Sequence, residues 1–458
     1  MTEHKLFAGH MVRRLRRNKG LTQLALAQTL SISSSYLNLI ERNQRPLTAT
    51  LLLALAAQFD LDTRAFAGEE PGGGTEGLRR RLADPLFADL NIDRNEIGEW
   101  LAAAPGGAEA FARAFDRMGQ GASGATDPIA DVRAEIERWR NYYGDLDSKA
   151  EVIADELRMI AGDAFAAMAE RLRAQHNIAI RILPVDAMPD ALRRLDLHAR
   201  QLQLSELLDT ASRTFGAAFQ LAQIEAKDEI DALVRGGQFT DPAAERLYRR
   251  HLTGYFAAAL MMPYSRFIRA CEATGYDVEL LQRRFGAGFE QVAHRLTTLH
   301  RVGARGLPFF MLRVDRAGQA SKRYAGASGS PLATGDGRCP LWQLHAAFAA
   351  PGTLVRQLVE LEDGSRWFTL ARTVRPQGNR LGGITAEFAI GLGVSAELAA
   401  PLAAARGIDL TGPATPIGLG CTTCTRPACP QRAAPPAGRA PLFNEREQGL
   451  TPFAFAGD

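Results

Sequence analysis

Residues 21–48 read LTQLALAQTLSISSSYLNLIERNQRPLT. Thr22 is placed to cap a short helix, QLALAQTL, whose Leu24, Ala27 and Leu30 are expected to face inward. SIS is the turn. SSSYLNLIERN follows as a second helix with Leu37 and Ile40 toward a core, which leaves Ser34, Ser35 and Asn38 on the outer face. Upstream, Phe7, Met11 and Leu15 recur every four residues along FAGHMVRRLRRNKG, and Gly20 ends that helix. Downstream, LTATLLLALAAQF reads as an apolar packing helix. Two short helices joined by a tight turn inside a small bundle form the arrangement that lays a recognition helix in the major groove.

The charge supports that reading. Residues 1–46 carry eight basic residues against Glu3 and Glu41, a net of +6, so the rest of this chain of net charge +3 sums to −3. A basic head on a slightly acidic body points to a polyanion partner for the head alone. Arg13, Arg16, Arg17 and Gln23 are the expected phosphate contacts, which set orientation and affinity. Asn38 and the serine cluster Ser33, Ser34 and Ser35 are the expected base readers, and Tyr36 and Arg42 complete the DNA-binding set. Glu41 reads as structural, tying the second helix of the motif to a neighbouring arginine.

At 458 residues, 46% apolar and 23% charged, the chain has the profile of a soluble multidomain protein. No run approaches a membrane span, and MTEHKLFAGHMVRRLRR lacks the pattern of a signal peptide, so the expected address is cytoplasmic. The expected fold class is multidomain: an all-α head, a mostly helical α+β middle domain and an α+β C-terminal domain with a mostly antiparallel sheet. The boundaries read as 1–66 for the head, 67–126 for a linker and helical connector, 127–306 for the middle and 307–458 for the C-terminal domain. Gly-rich residues 67–85 read as a lightly ordered hinge, with further breaks at Pro105-Gly106-Gly107 and near 120–126. IAIRILPV and ARQLQLS read as a pair of strands, FFMLRV, TLVRQLVEL, RWFTLART and GITAEFAIGL as the C-terminal sheet, and SAELAAPLAAA as a helix.

Cys421, Cys424 and Cys429 are spaced C-x2-C-x4-C, and distant Cys339 is the candidate fourth member. A cytosolic address and five cysteines in all argue against a disulfide framework. An all-cysteine site holds zinc or an iron–sulfur cluster, and spacing alone does not separate them. Cys271, on an apolar helix, reads as an inert buried thiol.

The opening stretch strongly resembles the lambda-repressor-like (XRE) helix-turn-helix domains, which act as dimers on paired half-sites. The order of elements after residue 127 resembles the ImmA/IrrE-type metallopeptidase-like fold, whose chemistry needs H-E-x-x-H on a helix. The aligned positions are Phe219, Gln220, Leu221, Ala222 and Gln223, and none of the eight histidines lies four residues from another. Ligands and base are both missing, so the chain is expected not to be an enzyme. Tyr255, Arg301, Arg305 and Arg313 are the candidates to line a pocket on that scaffold.

GLPFFMLRVDRAGQASKRY, CPLWQLHAAFAAPG and PIGLGCTTCTRPACPQRAAPP resemble the C-terminal domain of the short-chain fatty acyl-CoA transcriptional regulators. That resemblance, running from about residue 6 to about 440, implies a homodimeric regulator of propionate- or acetate-type metabolism that reads operator DNA and senses an acyl-CoA. It also implies a 4Fe–4S cluster rather than zinc on Cys339, Cys421, Cys424 and Cys429, while Tyr255, Arg305 and Arg313 are the expected acyl-CoA set on charge and position. The rival readings are an iron–sulfur redox or iron sensor and, further off, an active metallopeptidase.

Overall fold

The computed structural model describes residues 9–42, 44–59, 71–84, 87, 90, 92–120, 127–157, 164–335, 338–376 and 385–455. The chain divides into two compact units, residues 1–125 with 437–440 and residues 126–436 with 441–458.

The first unit opens with α1 (Gly9–Asn18), α2 (Gln23–Thr29), α3 (Ser34–Glu41) and α4 (Ala49–Phe59). Caps fix the two central starts: the Thr22 hydroxyl accepts from the Ala25 N–H, and the Ser33 hydroxyl accepts from the Tyr36 N–H. Gly20 carries the positive φ that ends α1. Val12, Leu26, Ala27, Leu30, Leu37, Ile40, Leu51 and Leu55 form the core of these helices. Leu24 does not join it: the side chain is 59% exposed and Leu26 takes the inward position. Phe7 lies outside the described residues.

The Gly-rich stretch at 67–85 is more ordered than its composition suggests. Residues 67–70 fall outside the described set, but Gly74–Leu82 form α5. Leu78 on α5 is buried against Ile97 of α6 (Arg94–Ala103) and Ala108 and Ala112 of α7 (Pro105–Gln120). Arg81 also bridges to Asp116 at 2.7 Å. One apolar anchor and one bidentate pair are enough to hold a nine-residue helix that propensity alone leaves marginal. The expected break at 105–107 falls one residue earlier, at Ala104, and Pro105-Gly106-Gly107 form the first turn of α7; residues 121–126 lie outside the described set.

The second unit packs α8 (Pro128–Arg138), α9 (Gly144–Glu156) and α10 (Ala164–His176) with a small sheet of β1 (Ala179–Leu183), β2 (Arg193–Asp196) and β3 (Gln201–Ser205). The sheet has three strands rather than the expected pair. Its order is β1-β3-β2, parallel on one side and antiparallel on the other. Then come α11 (Thr210–Glu225), α12 (Lys227–Gly236), α13 (Pro242–Met261), α14 (Tyr264–Thr274), α15 (Val278–Phe285) and α16 (Phe289–Leu296).

The second sheet comprises β4 (Phe310–Val314), β5 (Ala320–Tyr324), β6 (Val355–Glu360), β7 (Arg366–Val374), β8 (Phe388–Ser395) and β9 (Thr415–Pro416), in the order β5-β4-β8-β7-β6-β9. Its long pairs are antiparallel and β9 joins β6 in parallel, so this sheet too is mixed. Both faces of the inner strands β4, β7 and β8 are buried, which is why these read as largely apolar runs. Met311, Phe368, Leu370, Ile390, Leu392 and Val394 join the helical core. Phe310, Leu312, Val314, Trp367 and Ala389 pack the other way, against Leu332, Trp342 and Leu344. Gly393 is required there, because a Cβ would sit 2.6 Å from the Phe310 ring. The boundary expected at 306/307 therefore runs through one shared core. SAELAAPLAAA forms two single turns, Ala396–Leu398 and Ala403–Ala405, instead of a helix; Pro401 between them withholds a backbone donor. A short hairpin, β10 (Pro441–Leu442) with β11 (Ala454–Phe455), ends the described chain.

One buried network organises these helices. Asp147 on α9 accepts from Arg295 of α16 at 2.5 Å and from the Tyr255 hydroxyl of α13 at 2.8 Å. Arg295 also donates to the Met262 carbonyl and to the Thr298 hydroxyl. Burial works against the Arg295 charge, but Asp147 and Tyr255 outweigh it and hold the guanidinium firmly protonated.

Candidate functional site

Glu41 organises the head. Its carboxylate accepts from Arg16 Nε at 2.6 Å, Arg16 Nη2 at 3.0 Å and Gln23 Nε2 at 2.7 Å, and its carbonyl accepts from Arg13 Nη2 at 2.7 Å. Gln23 also reaches Asn38 Oδ1 at 3.4 Å. Arg16 and Gln23, expected at phosphate, thus serve the fold, and Ser33 serves as a cap. Arg17, Ser34, Ser35 and Arg42 are exposed, Asn38 is half-buried beside them, and Tyr36 packs against the core. Burial alone would push the Glu41 carboxyl up, yet the bonds from Arg16 and Gln23 hold it below the usual carboxylate range. Its stabilisation is therefore present above the ordinary carboxylate pKa and lost as pH falls through the depressed value. Glu41→Ala is expected to cost the head about 2 kcal/mol, since it strands buried donors. Hydrogen exchange of α1–α3 amides in the full chain reads this loss, and the wild-type advantage shrinks on acidification.

The second unit holds a cavity of about 1530 Å³ between α8, α11, α12, α13, α16, β4, β5 and β7. Ile129, Val132, Phe215, Phe219 and Phe289 supply apolar wall, and among the described residues nine arginines and lysines face two carboxylates, Asp209 and Glu290, in the lining. Lys227 and Arg249 share Asp231, Arg313 and Lys322 share Glu290, Arg372 meets Glu279 and Arg375 meets Glu387. Among the described residues no carboxylate pairs with the remaining three, Arg193, Arg246 and Arg250. Arg193 donates to Gln220 Oε1 at 2.9 Å and approaches Gln223 Oε1 at 3.5 Å, with its guanidinium 4.6 Å from the Phe219 ring centre. Burial pulls its pKa below the usual arginine value.

The positions aligned with a peptidase motif therefore do more than pack. Leu221 and Ala222 are buried core, whereas Phe219, Gln220 and Gln223 seat an arginine on the cavity wall. Deeper in, His251 and His294 lie with Tyr324, the His294 and Tyr324 ring centres 4.5 Å apart. Among the described residues His251 Nε2 has no hydrogen-bond partner. Burial first and then the Lys322 charge pull its pKa down to about 3, so the ring is neutral across the physiological range.

Of the residues expected at the ligand, Arg313 lines this cavity and the others do not. Tyr255 is a core hydroxyl on Asp147. Arg305 is exposed on a loop, and Arg301 is paired with Glu151 at 2.6 Å. The arginine spacing 246, 249, 250 along one helix was the available signal for the missed wall. Arg193 carried none, because β2 does not read as a strand.

Cys339, Cys421, Cys424 and Cys429 line one small cavity of about 20 Å³, although Cys339 enters from the far end of the domain. The loop carrying the other three is tied to the sheet: Thr425 donates to Glu362, and Arg426 donates to the Glu360 carbonyl. The Ala433 N–H donates to Cys421 Sγ at 3.4 Å. Gly418 makes room for the loop, because a Cβ there would sit 2.7 Å from Cys424 Sγ. Among the described residues no three His, Cys, Asp or Glu side chains converge in metal-binding geometry. The donor set fits zinc or an iron–sulfur cluster. The four thiols share one cavity lining but are not drawn together around a common point in this structure. Cys271 lies elsewhere, fully buried, its thiol pushed up by burial.

A two-helix reading unit with its recognition-helix residues exposed, on a chain with a separate cavity-bearing unit, defines a helix-turn-helix DNA-binding regulator. Family models match along the length: a helix-turn-helix over residues 12–66, an IrrE N-terminal-like domain over 173–297, and the short-chain fatty acyl coenzyme A regulator C-terminal domain over 298–453. HTH-type transcriptional regulator RamB of Mycobacterium tuberculosis is 37% identical over 470 residues, covering 98% of each chain. HTH-type transcriptional regulator PrpR of the same species is 35% identical, covering 99% of this chain and 96% of that one. A propionyl-CoA carboxylase regulator of Cereibacter sphaeroides is 35% identical over 98% of each. A solved Mycobacterium tuberculosis transcriptional regulator covers 72% of this chain with a TM-score of 0.69 and 37% identity. The chain belongs to the short-chain fatty acyl-CoA regulator family of transcriptional regulators. Among the described residues no helix is long and apolar enough to cross a membrane.

Proposed function

We propose that this regulator binds operator DNA as a homodimer through its head and adjusts that binding to a short-chain acyl-CoA of the propionate or acetate type held in the large cavity. The observation that carries the reading is the cavity wall, with nine cations against two carboxylates and an apolar floor. Three of those cations lack a carboxylate among the described residues, and an anionic ligand supplies one. The volume exceeds the roughly 300–1,000 Å³ of ordinary small-molecule pockets, which suits a ligand as large as a coenzyme A thioester. Arg193, Arg246 and Arg250 would take its phosphates with Arg313, and neutral His251 offers a hydrogen bond to an amide or thioester carbonyl. The ligand changes DNA affinity only through unequal affinity for two arrangements of the protein.

Cys339, Cys421, Cys424 and Cys429 would hold a 4Fe–4S cluster, which when bound supplies one-electron chemistry and a cross-link between distant segments. A second reading, an iron–sulfur redox or iron sensor, is favoured by that thiol set alone. Operator binding lost on exposure to oxygen, with no response to acyl-CoA, would select it.

Calorimetry of the full chain with propionyl-CoA tests the first reading. Arg193→Gln is expected to raise the dissociation constant by about 10- to 100-fold, the weight of charge-assisted bonds. Unchanged affinity in that variant, or no binding by the wild type, would refute it.

A further inference from the structure

We propose that Arg432 is the built-in counter-cation of the four-cysteine centre and couples occupancy of that centre to the fold of the C-terminal tail. This rests on the reading that the four cysteines hold a metal.

Arg432 lines the same small cavity as the four thiols and is only 3% exposed. Its Nη1 donates to the carbonyls of Cys421 at 3.2 Å, Cys424 at 3.1 Å and Ala434 at 3.4 Å, and its Nη2 donates to the Arg426 carbonyl at 2.5 Å. Nε is buried without an acceptor, and no carboxylate pairs with the guanidinium among the described residues. Arg295, the other arginine in the buried class among the described residues, has Asp147 as its carboxylate.

Burying an unpaired cation is costly, and carbonyl dipoles offset only part of that cost. Neutral thiols add nothing. Four thiolates around a zinc ion, or around a 4Fe–4S core in its oxidised state, carry a net charge of about −2, and this supplies the missing counter-charge. The same guanidinium is the roof of the cysteine loop, through the Cys421, Cys424 and Arg426 carbonyls, and the seat of the tail: the Phe455 ring of β11 lies 4.9 Å from it. Metal loading, the Arg432 charge and the docking of β11 therefore form one thermodynamic unit. Because one-electron reduction makes an iron–sulfur centre more negative, the fixed cation favours the reduced form.

The test uses the full chain, purified anaerobically, with Arg432→Met to remove the charge and Arg432→Lys to keep it. Metal release into excess chelator is expected to quicken by about 10- to 100-fold in R432M, the usual weight of an outer-shell partner, with R432K between it and wild type. In a titration with dithionite, R432M is expected to show a lower midpoint potential if the metal is iron. Stripping the metal from the wild type is expected to expose residues 433–455 to protease, a measurement that needs no variant. R432M releasing metal at the wild-type rate, R432K releasing it as fast as R432M, or a tail indifferent to stripping would overturn the proposal. A wild type that holds neither iron nor zinc would overturn the four-cysteine metal reading itself.

Discussion

Asp147→Ala is expected to destabilise the second unit by about 3–5 kcal/mol, the largest stability loss of any single substitution considered for this chain. Asp147 and Arg295 are both shut off from solvent, at 0% and 1% exposure of their side chains. Removing the carboxylate leaves the Arg295 charge buried without a partner and also takes the acceptor from the Tyr255 hydroxyl. These bonds join α9, α13 and α16, and α13 and α16 form part of the cavity wall, so under the proposed function acyl-CoA affinity is expected to fall with stability. Urea unfolding of the full chain, followed by circular dichroism, measures the loss. The double variant Asp147→Leu with Arg295→Met is expected to recover most of it, because exchanging a whole buried pair for apolar side chains is far cheaper than breaking the pair. If the double variant were no more stable than D147A, shape rather than charge would be the cause.

Cys339→Ser is expected to lower metal retention by more than about 100-fold, beyond the usual weight of an outer-shell contact. Cys339 approaches the cavity from a segment far upstream of the other three cysteines, and its side chain is nearly buried in the sheet's second core. Serine is close to cysteine in size, so the strands around it are expected to hold. Iron, zinc and sulfide per chain after anaerobic purification give the readout. Cys271→Ser is the control, since that thiol is sealed in the helical core and distant from the cavity. Equal metal in C339S and wild type would sink the four-cysteine assignment.

The helix start at Thr22 was legible because a cap is a contact between residues three apart, whereas Ser33, expected at the bases, turned out to be the cap of α3; the tie from Glu41 to an arginine was legible as a carboxylate beside a basic helix. Other features escaped for equally local reasons. Leu24 and Leu26 are interchangeable on paper, and only packing chose between them. The Gly-rich stretch concealed α5, because one buried leucine outweighs weak propensity. Strand β2, RRLD, has no apolar alternation, so pairing with β3 alone makes it a strand.

The sequence by itself determined the reading head, the loss of the peptidase ligands and the C-x2-C-x4-C spacing, because each is written in residues a few positions apart. It also placed Cys339 as the candidate fourth thiol. Only the tertiary structure decided which charges face a cavity: it moved Tyr255 into the core and Arg305 to the surface, and it brought forward Arg193, seated on glutamines at the positions aligned with the peptidase motif. It also set Arg432 beside four thiols with no carboxylate among the described residues. The physical reason is common to both. Whether a charge is paired or stranded depends on burial and on neighbours brought from distant segments, and local pattern carries no record of either.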